Sequence, residues 1–171
     1  MKNIKTNAVR LLGAAKIPCE EKFYDVSDGR IDALAIAEKI GESPEQVFKT
    51  LVTYSNKKEY FVFVVPAVAE LDLKKAAAAA GVKSIEMIPS KTLLPVTGYV
   101  HGGCSPVGMK KVFPTFIDET AQLYDYICVS AGAIGTNIAV NPDQLCQYLS
   151  ASYADITLFF GRKKSLAKKS A

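Results

Sequence analysis

The residues best suited to chemistry sit in two places, a glycine-rich loop and a lone lysine in a predicted strand. The loop, 98–111, reads Gly-Tyr-Val-His-Gly-Gly-Cys-Ser-Pro-Val-Gly-Met-Lys-Lys. It holds four of the eleven glycines, the only histidine and one of the four cysteines. Glycine takes positive φ without strain and lets backbone N–H groups approach a ligand closely. Successive N–H groups facing one way hold an oxygen that bears negative charge. Composition leaves a second reading equally open, a long turn between two strands.

The lysine is Lys49. Val47, Lys49, Leu51 and Thr53 share one face of a predicted strand, and Phe48, Thr50, Val52 and Tyr54 share the other. Both faces are apolar enough to be covered, so Lys49 interrupts a buried surface whichever way it points. A buried ammonium is costly unless it is paired or put to use. It suits an ester carbonyl oxygen, a carboxylate or a phosphate. The plainer alternative is a frayed strand start from which the side chain snorkels to water.

Several chemistries fail on spacing. Gly132 and Gly135 give only G-x-x-G, with Ser130 where a dinucleotide fingerprint needs glycine. Gly103 to Gly108 has phosphate-loop spacing, but Met109 stands at the lysine position and Pro106 removes a donor. Gly108 lies one residue too far from Ser105 for a nucleophile elbow. His101 and Cys104, three apart in a loop, fix no geometry, and a buried inert thiol is the favoured reading of Cys104. Asp118-Glu119 reads as a cap, not an acid/base pair. One histidine and no C-x-x-C pair exclude the common metal sites, so neither metal nor cofactor is expected.

The chain has 171 residues, one domain's worth, with a net charge of +4. Arg162, Lys163, Lys164, Lys168 and Lys169 fall in the last ten residues, and removing them from +4 leaves −1. We expect a domain over 1–160 and a basic, disordered tail over 161–171. A phosphate contact and a merely solvated terminus both remain open for that tail. Without an apolar leader or a run of ~20 apolar residues, a cytoplasmic protein off the membrane is expected, with reduced thiols.

The elements that must position these residues follow from periodicity. Thr6 caps a helix that Pro18 ends, and residues 19–26 read as a strand. Ile31 to Ile40 is helical with Gly41 behind it. Ser43-Pro44-Glu45-Gln46 starts about one helical turn. Phe48–Tyr54 and Tyr60–Val65 form a hairpin across Asn56-Lys57-Lys58, with the second strand central because it is apolar on both faces. Asp72 caps an alanine helix ending at Gly81. Ser84 to Ile88 is a strand, and Ser90 caps a helix that stops before Pro95. Val112–Ile117, Tyr126–Ser130 and Thr136–Val140 are strands. Asn141-Pro142 opens a helix through Leu149, and Asp155–Phe160 is a last strand. Helices and hairpins mixed irregularly predict one mixed α/β domain, not a doubly wound sheet.

The chain resembles the YbaK family, freestanding relatives of the editing domain inserted in bacterial prolyl-tRNA synthetases. The shared pieces are Thr6-Asn7-Ala8, Val47-Phe48-Lys49-Thr50-Leu51, Leu71-Asp72-Leu73-Lys74-Lys75, Gly98-Tyr99 through Gly108, Phe116-Ile117-Asp118, Val129-Ser130-Ala131-Gly132 and Ala154-Asp155-Ile156. They run in order over residues 3–158. The resemblance implies a barrel-like mixed sheet with helices outside. It implies deacylation of mischarged tRNA, foremost cysteine on the tRNA for proline, with prolyl-tRNA synthetase as a possible partner and no role for DNA. Lys49 matches the essential lysine and Gly102 a pocket glycine, with Gly103 beside it as a further backbone donor. Tyr24, Ser130 and Gly132 match or flank pocket positions. Asn137 stands where the best-known members carry aspartate, which puts the amino-acid preference in question and keeps alanine on the same tRNA as an alternative. In this family the substrate's own thiol is thought to attack its ester, leaving a thiolactone. A different class of reading is a non-catalytic module that binds tRNA or a synthetase through the tail and the pairs Lys74-Lys75 and Lys110-Lys111.

Overall fold

The computed structural model describes residues 5–159, so the basic tail lies outside the described residues. In chain order the elements are α1 (Asn7–Ala14), β1 (Cys19–Phe23), α2 (Ala33–Ile40), β2 (Phe48–Ser55), β3 (Tyr60–Pro66), β4 (Ala69–Leu71), α3 (Leu73–Ala80) and β5 (Ile85–Met87). There follow α4 (Ser90–Thr97), β6 (Thr115–Asp118), a 3-10 helix (Glu119–Leu123), β7 (Ile127–Ala133), β8 (Thr136–Val140), α5 (Pro142–Leu149), β9 (Ser152–Ala154) and β10 (Thr157–Phe159).

Local signals in the sequence start most helices. Thr6, Asp32, Asp72 and Asn141 each accept a first-turn N–H in their side-chain oxygen, opening α1, α2, α3 and α5. The β2–β3 hairpin pairs from Phe48↔Pro66 to Tyr54↔Tyr60. Its second strand is the centre of a five-stranded sheet ordered β5-β2-β3-β6-β9. Phe63, Val64 and Val65 there are fully buried, each such side chain contributing about 1.5–3 kcal/mol. The thin alanine face of α3, Ala76 and Ala77, packs on Phe61, Phe63 and Val65. On the other side Leu12 of α1 and Leu145 of α5 close a core with Phe48, Ile117, Ile127 and Ile138.

The architecture is mixed α/β, as expected, but among the described residues no sheet closes into a barrel. A second sheet, β1-β8-β7, is antiparallel, and β4 pairs with β10 apart from both. The two larger sheets meet at a parallel bridge, Val47↔Cys128, where the Cys128 N–H donates to the Gln46 carbonyl at 3.0 Å.

Residues 43–46 make the single turn expected of them, Val47 N–H to Ser43 O, before β2 begins. Other boundaries differ from expectation, each for a local reason. Pro95 lies inside α4, not beyond it. It is the sixth of eight residues, so it forfeits a single intrahelical bond. The Thr97 hydroxyl on Leu93 O (2.7 Å) and the Gly98 N–H on Leu94 O (2.9 Å) hold the turn that follows. The strand expected from Val112 starts at Thr115, just after Pro114, which has no N–H for a ladder. The last strand is two, β9 and β10, and β4 had no sequence signal. The buried Asp118 carboxylate accepts the Ile156 N–H and the Thr157 hydroxyl. That turns the chain, so β9 pairs parallel with β6 while β10 pairs antiparallel with β4. Among the described residues no helix is long and apolar enough to cross a membrane.

Candidate active site

β2 is hydrogen-bonded to β3 along its length, whereas the backbone pairing to β7 is the isolated bridge at Val47, just before β2. A cavity of about 280 Å³ opens beside that junction. Its floor is Lys49, Thr50 and Leu51 of β2, with Ser130 of β7 and Asn137 of β8. Ile31, Asp32 and the first turns of α2 also line it, as do Leu93, His101, Gly102 and Cys104. The β2 lysine and the glycine loop, far apart in sequence, thus line one space.

Lys49 is half-buried, and burial lowers its pKa below the ordinary lysine value, while the negative charge of Glu70 acts the other way. Among the described residues no hydrogen bond or salt bridge holds its ammonium. An unpaired, partly desolvated cation on a cavity floor is suited to an oxygen that gains negative charge.

Gly102 has φ +86°, and a Cβ built there would lie 2.5 Å from Ile31 Cδ1. Only glycine lets the loop pass beneath Ile31 at that distance. Among the described residues the Gly102 N–H has no acceptor. Gly103 departs from its expected role. Its N–H donates to Val100 O at 3.0 Å, and a Cβ would press on the Ile134 nitrogen at 3.0 Å. It packs the loop against the β7–β8 turn, does not line the cavity and has no free donor to offer.

The other expected positions divide. Asn137 is 2% exposed, lines the cavity and has a buried Oδ1 without a partner. Ser130 lines it too, its Oγ accepting the Gly132 N–H at 3.1 Å. Gly132 itself lies outside the lining, in the bulge between Ser130 and Ala133, with a built Cβ 2.8 Å from Tyr99 Cε1. Tyr24 also lies behind the lining. It packs with Ile36, Val47 and Ala67, which do face the cavity, and its buried hydroxyl has no partner among the described residues. Burial raises the Tyr24 pKa.

Thr50 and Ile31 are among the lining residues that sequence reasoning did not single out. Thr50 carries a buried Oγ1 with no partner; its face on β2 was legible, but a threonine in an apolar strand gives no chemical signal. Ile31 reads only as the start of a helical pattern. Leaving a buried polar atom unmatched costs about 1–3 kcal/mol. Among the described residues, two of the three such atoms, Thr50 Oγ1 and Asn137 Oδ1, belong to residues that line this cavity.

No lining residue is set up as a nucleophile. Burial pushes the Cys104 thiol up to about 11, and His101 is exposed on the rim. Among the described residues no group of three His, Cys, Asp or Glu could hold a metal ion.

The sequence profile of the aminoacyl-tRNA editing domain matches residues 31–148, the span that builds this cavity. The chain belongs to the aminoacyl-tRNA editing domain family. The resemblance read in the sequence is therefore borne out. This editing domain is 44% identical over 153 residues to EbsC of Enterococcus faecalis, described as a candidate Cys-tRNA(Pro)/Cys-tRNA(Cys) deacylase. That match covers 90% of this chain and 93% of EbsC. A crystal structure of a candidate trans-editing enzyme for prolyl tRNA synthetase superposes with a TM-score of 0.75 at 24% identity, covering 88% of this chain and 92% of that one. A crystal structure of a hypothetical protein gives 0.80 at 18% identity, covering 87% and 97%. At those identities the two structures speak for the shared fold.

Proposed function

We propose that this editing domain acts in trans as an aminoacyl-tRNA deacylase, clearing cysteine from the tRNA for proline. Cys-tRNA(Cys), the second ester in the description of EbsC, is the companion substrate. The observation that carries the reading is the unpaired Lys49 ammonium on the floor of a cavity walled by Gly102, with no activated nucleophile beside it.

Such a site is suited to a substrate that brings its own nucleophile. The cysteinyl thiol attacks the ester carbonyl, a C–S bond forms, and the ester C–O bond breaks. The thiol proton goes to the departing ribose oxygen, and water later opens the thiolactone. The protein folds the aminoacyl group back on itself and offers donors to the oxyanion, Lys49 Nζ and the Gly102 N–H. Asn137 Oδ1 and Thr50 Oγ1 offer partners for the amino group and the ester. Acting on tRNA puts this work in the cytoplasm, with prolyl-tRNA synthetase as the partner that supplies tRNA selection.

The test is a panel of tRNA for proline charged with cysteine or alanine, incubated with wild type and Lys49→Met. The reading expects cysteine release by wild type and a ~10²–10³-fold slower rate in the variant, the usual effect of losing one oxyanion donor. An equally active Lys49→Met refutes the role of the lysine. A second reading, deacylation of alanine, rests on the neutral Asn137, where the family resemblance implies a carboxylate. Release of alanine as fast as cysteine would select it.

A further inference from the structure

The cavity wall that carries Ile31 hangs on one side chain that never touches the cavity. The segment between β1 and α2 makes no ladder with any strand; past Tyr24, whose N–H bonds Gly135 O, it folds on itself. The Asp25 carboxylate accepts from the Ser27 N–H and hydroxyl, Gly29 N–H bonds Val26 O, and Arg30 N–H bonds the Asp28 carboxylate. Into this ring reaches Lys39, from the last turn of α2. Its ammonium donates to Asp25 O at 2.8 Å, Asp28 Oδ1 at 2.7 Å and Arg30 O at 2.9 Å. An ammonium has three N–H donors, and all three are spent on this one segment. The next residue after Arg30 is Ile31, whose side chain covers Gly102 and walls the cavity.

We propose that Lys39 is a positioning residue for the deacylation: its three convergent hydrogen bonds hold residues 25–30 in the one shape that seats Ile31 on Gly102 and keeps the cavity wall closed. This rests on the proposed function of the site. A purely structural role, closing the C-terminus of α2, would need one carbonyl acceptor on that helix. None of the three acceptors belongs to α2. Without the hub, residues 26–31 retain their short-range turn bonds and one exposed ion pair to α2, Arg30 to Glu38 at 3.1 Å, worth little in water, and the wall that orients the ester loosens. Displacement of an orienting group by about 1 Å can cost up to ~10²-fold in rate.

The experiment uses the full chain and tRNA for proline charged with cysteine. Lys39→Met keeps the aliphatic stem and removes every donor. Kcat, KM, amide hydrogen exchange over residues 26–31 and the melting curve are recorded beside wild type. The expected result is a kcat lower by about tenfold, KM within threefold, and exchange over 26–31 faster by at least tenfold. Unchanged kinetics, whatever happens to the melting curve, would show a structural tie only and overturn the proposal. Should Lys39→Met fail to fold, Asp28→Asn carries the test, since it removes the negative charge facing Lys39 and leaves an oxygen acceptor for the Arg30 N–H. A kcat down about threefold supports the proposal, and wild-type kcat overturns it. A wild-type protein that leaves the cysteinyl ester intact overturns the proposed function and this inference together. An active wild type matched by Lys39→Met overturns this inference alone.

Discussion

Replacing Gly102 with alanine puts a methyl group into the tightest contact of the cavity wall. Two costs are separable. The backbone sits at φ +86°, which a side chain tolerates only at about 1–2 kcal/mol. The new Cβ would also lie 2.5 Å from Ile31 Cδ1, 3.2 Å from Cγ1 and 3.4 Å from Cβ. Overpacking of this kind costs about 1–3 kcal/mol, and the lower end applies because Cδ1 is the mobile tip of its side chain. The expected loss is about 3 kcal/mol by denaturant unfolding. The expected loss in kcat/KM for cysteinyl-tRNA is ~10²-fold, because either the loop or Ile31 must shift. Adding Ile31→Val removes the clashing Cδ1 and relieves the packing part, leaving the φ part. The two substitutions should therefore couple, with the double variant more stable than the sum of the singles. Additive stabilities would deny the Ile31–Gly102 contact. A Gly102→Ala protein with wild-type kcat/KM would refute the reasoning that this loop walls the reaction site.

Other outcomes follow from the same geometry. Burial disfavours the charged form of Lys49, so in the folded state its pKa lies below 10.5. That penalty is fully present below the folded pKa, fades as pH rises from there towards 10.5 and is gone above it. Lys49→Met should therefore be as stable as wild type or more so at pH 7, with the gap closing above pH 10, by thermal melts across pH; clear destabilisation at pH 7 would contradict it. Cys104→Ser should keep kcat/KM within threefold. With its thiol at about 11, roughly 0.1% is thiolate at pH 8, so iodoacetamide should label Cys104 far more slowly than an exposed cysteine. Asp118→Ala strips the shared acceptor from the Thr120 N–H and hydroxyl, the Ile156 N–H and the Thr157 hydroxyl. It should destabilise by about 3 kcal/mol while leaving activity per folded molecule unchanged.

Much of the fold was legible because its signals are local. Thr6, Asp72 and Asn141 sit at the caps where side-chain chemistry puts them, while Asp32 caps a helix that the periodicity had begun at Ile31. The β2–β3 hairpin followed from two apolar runs and a short turn. The elements that went unread depend on distant partners. β4 exists because β10 pairs with it, and β10 is separated from β9 by a carboxylate from β6. Closure into a barrel was an expectation of resemblance, and the single Val47↔Cys128 bridge between the sheets is what the chain has instead. In the site, Lys49 stood out because a charge in an apolar strand is anomalous on its own. Asn137 and Ser130 came from family motifs. Gly103 misled because spacing does not say which neighbour takes an N–H, and here Val100 does. Ile31, Thr50 and Lys39 gain meaning only from what the fold sets beside them.

Substrate-thiol attack is the central claim, and one comparison tests it most directly. The same tRNA for proline is charged with cysteine, S-methylcysteine or alanine, and release by the wild-type chain is timed. S-methylation keeps the size and removes the nucleophile. The account predicts that only the cysteinyl ester is cleared while the other two decay at the uncatalysed rate. Release of S-methylcysteine at the rate of cysteine would contradict it, and would require a nucleophile other than the substrate's own thiol.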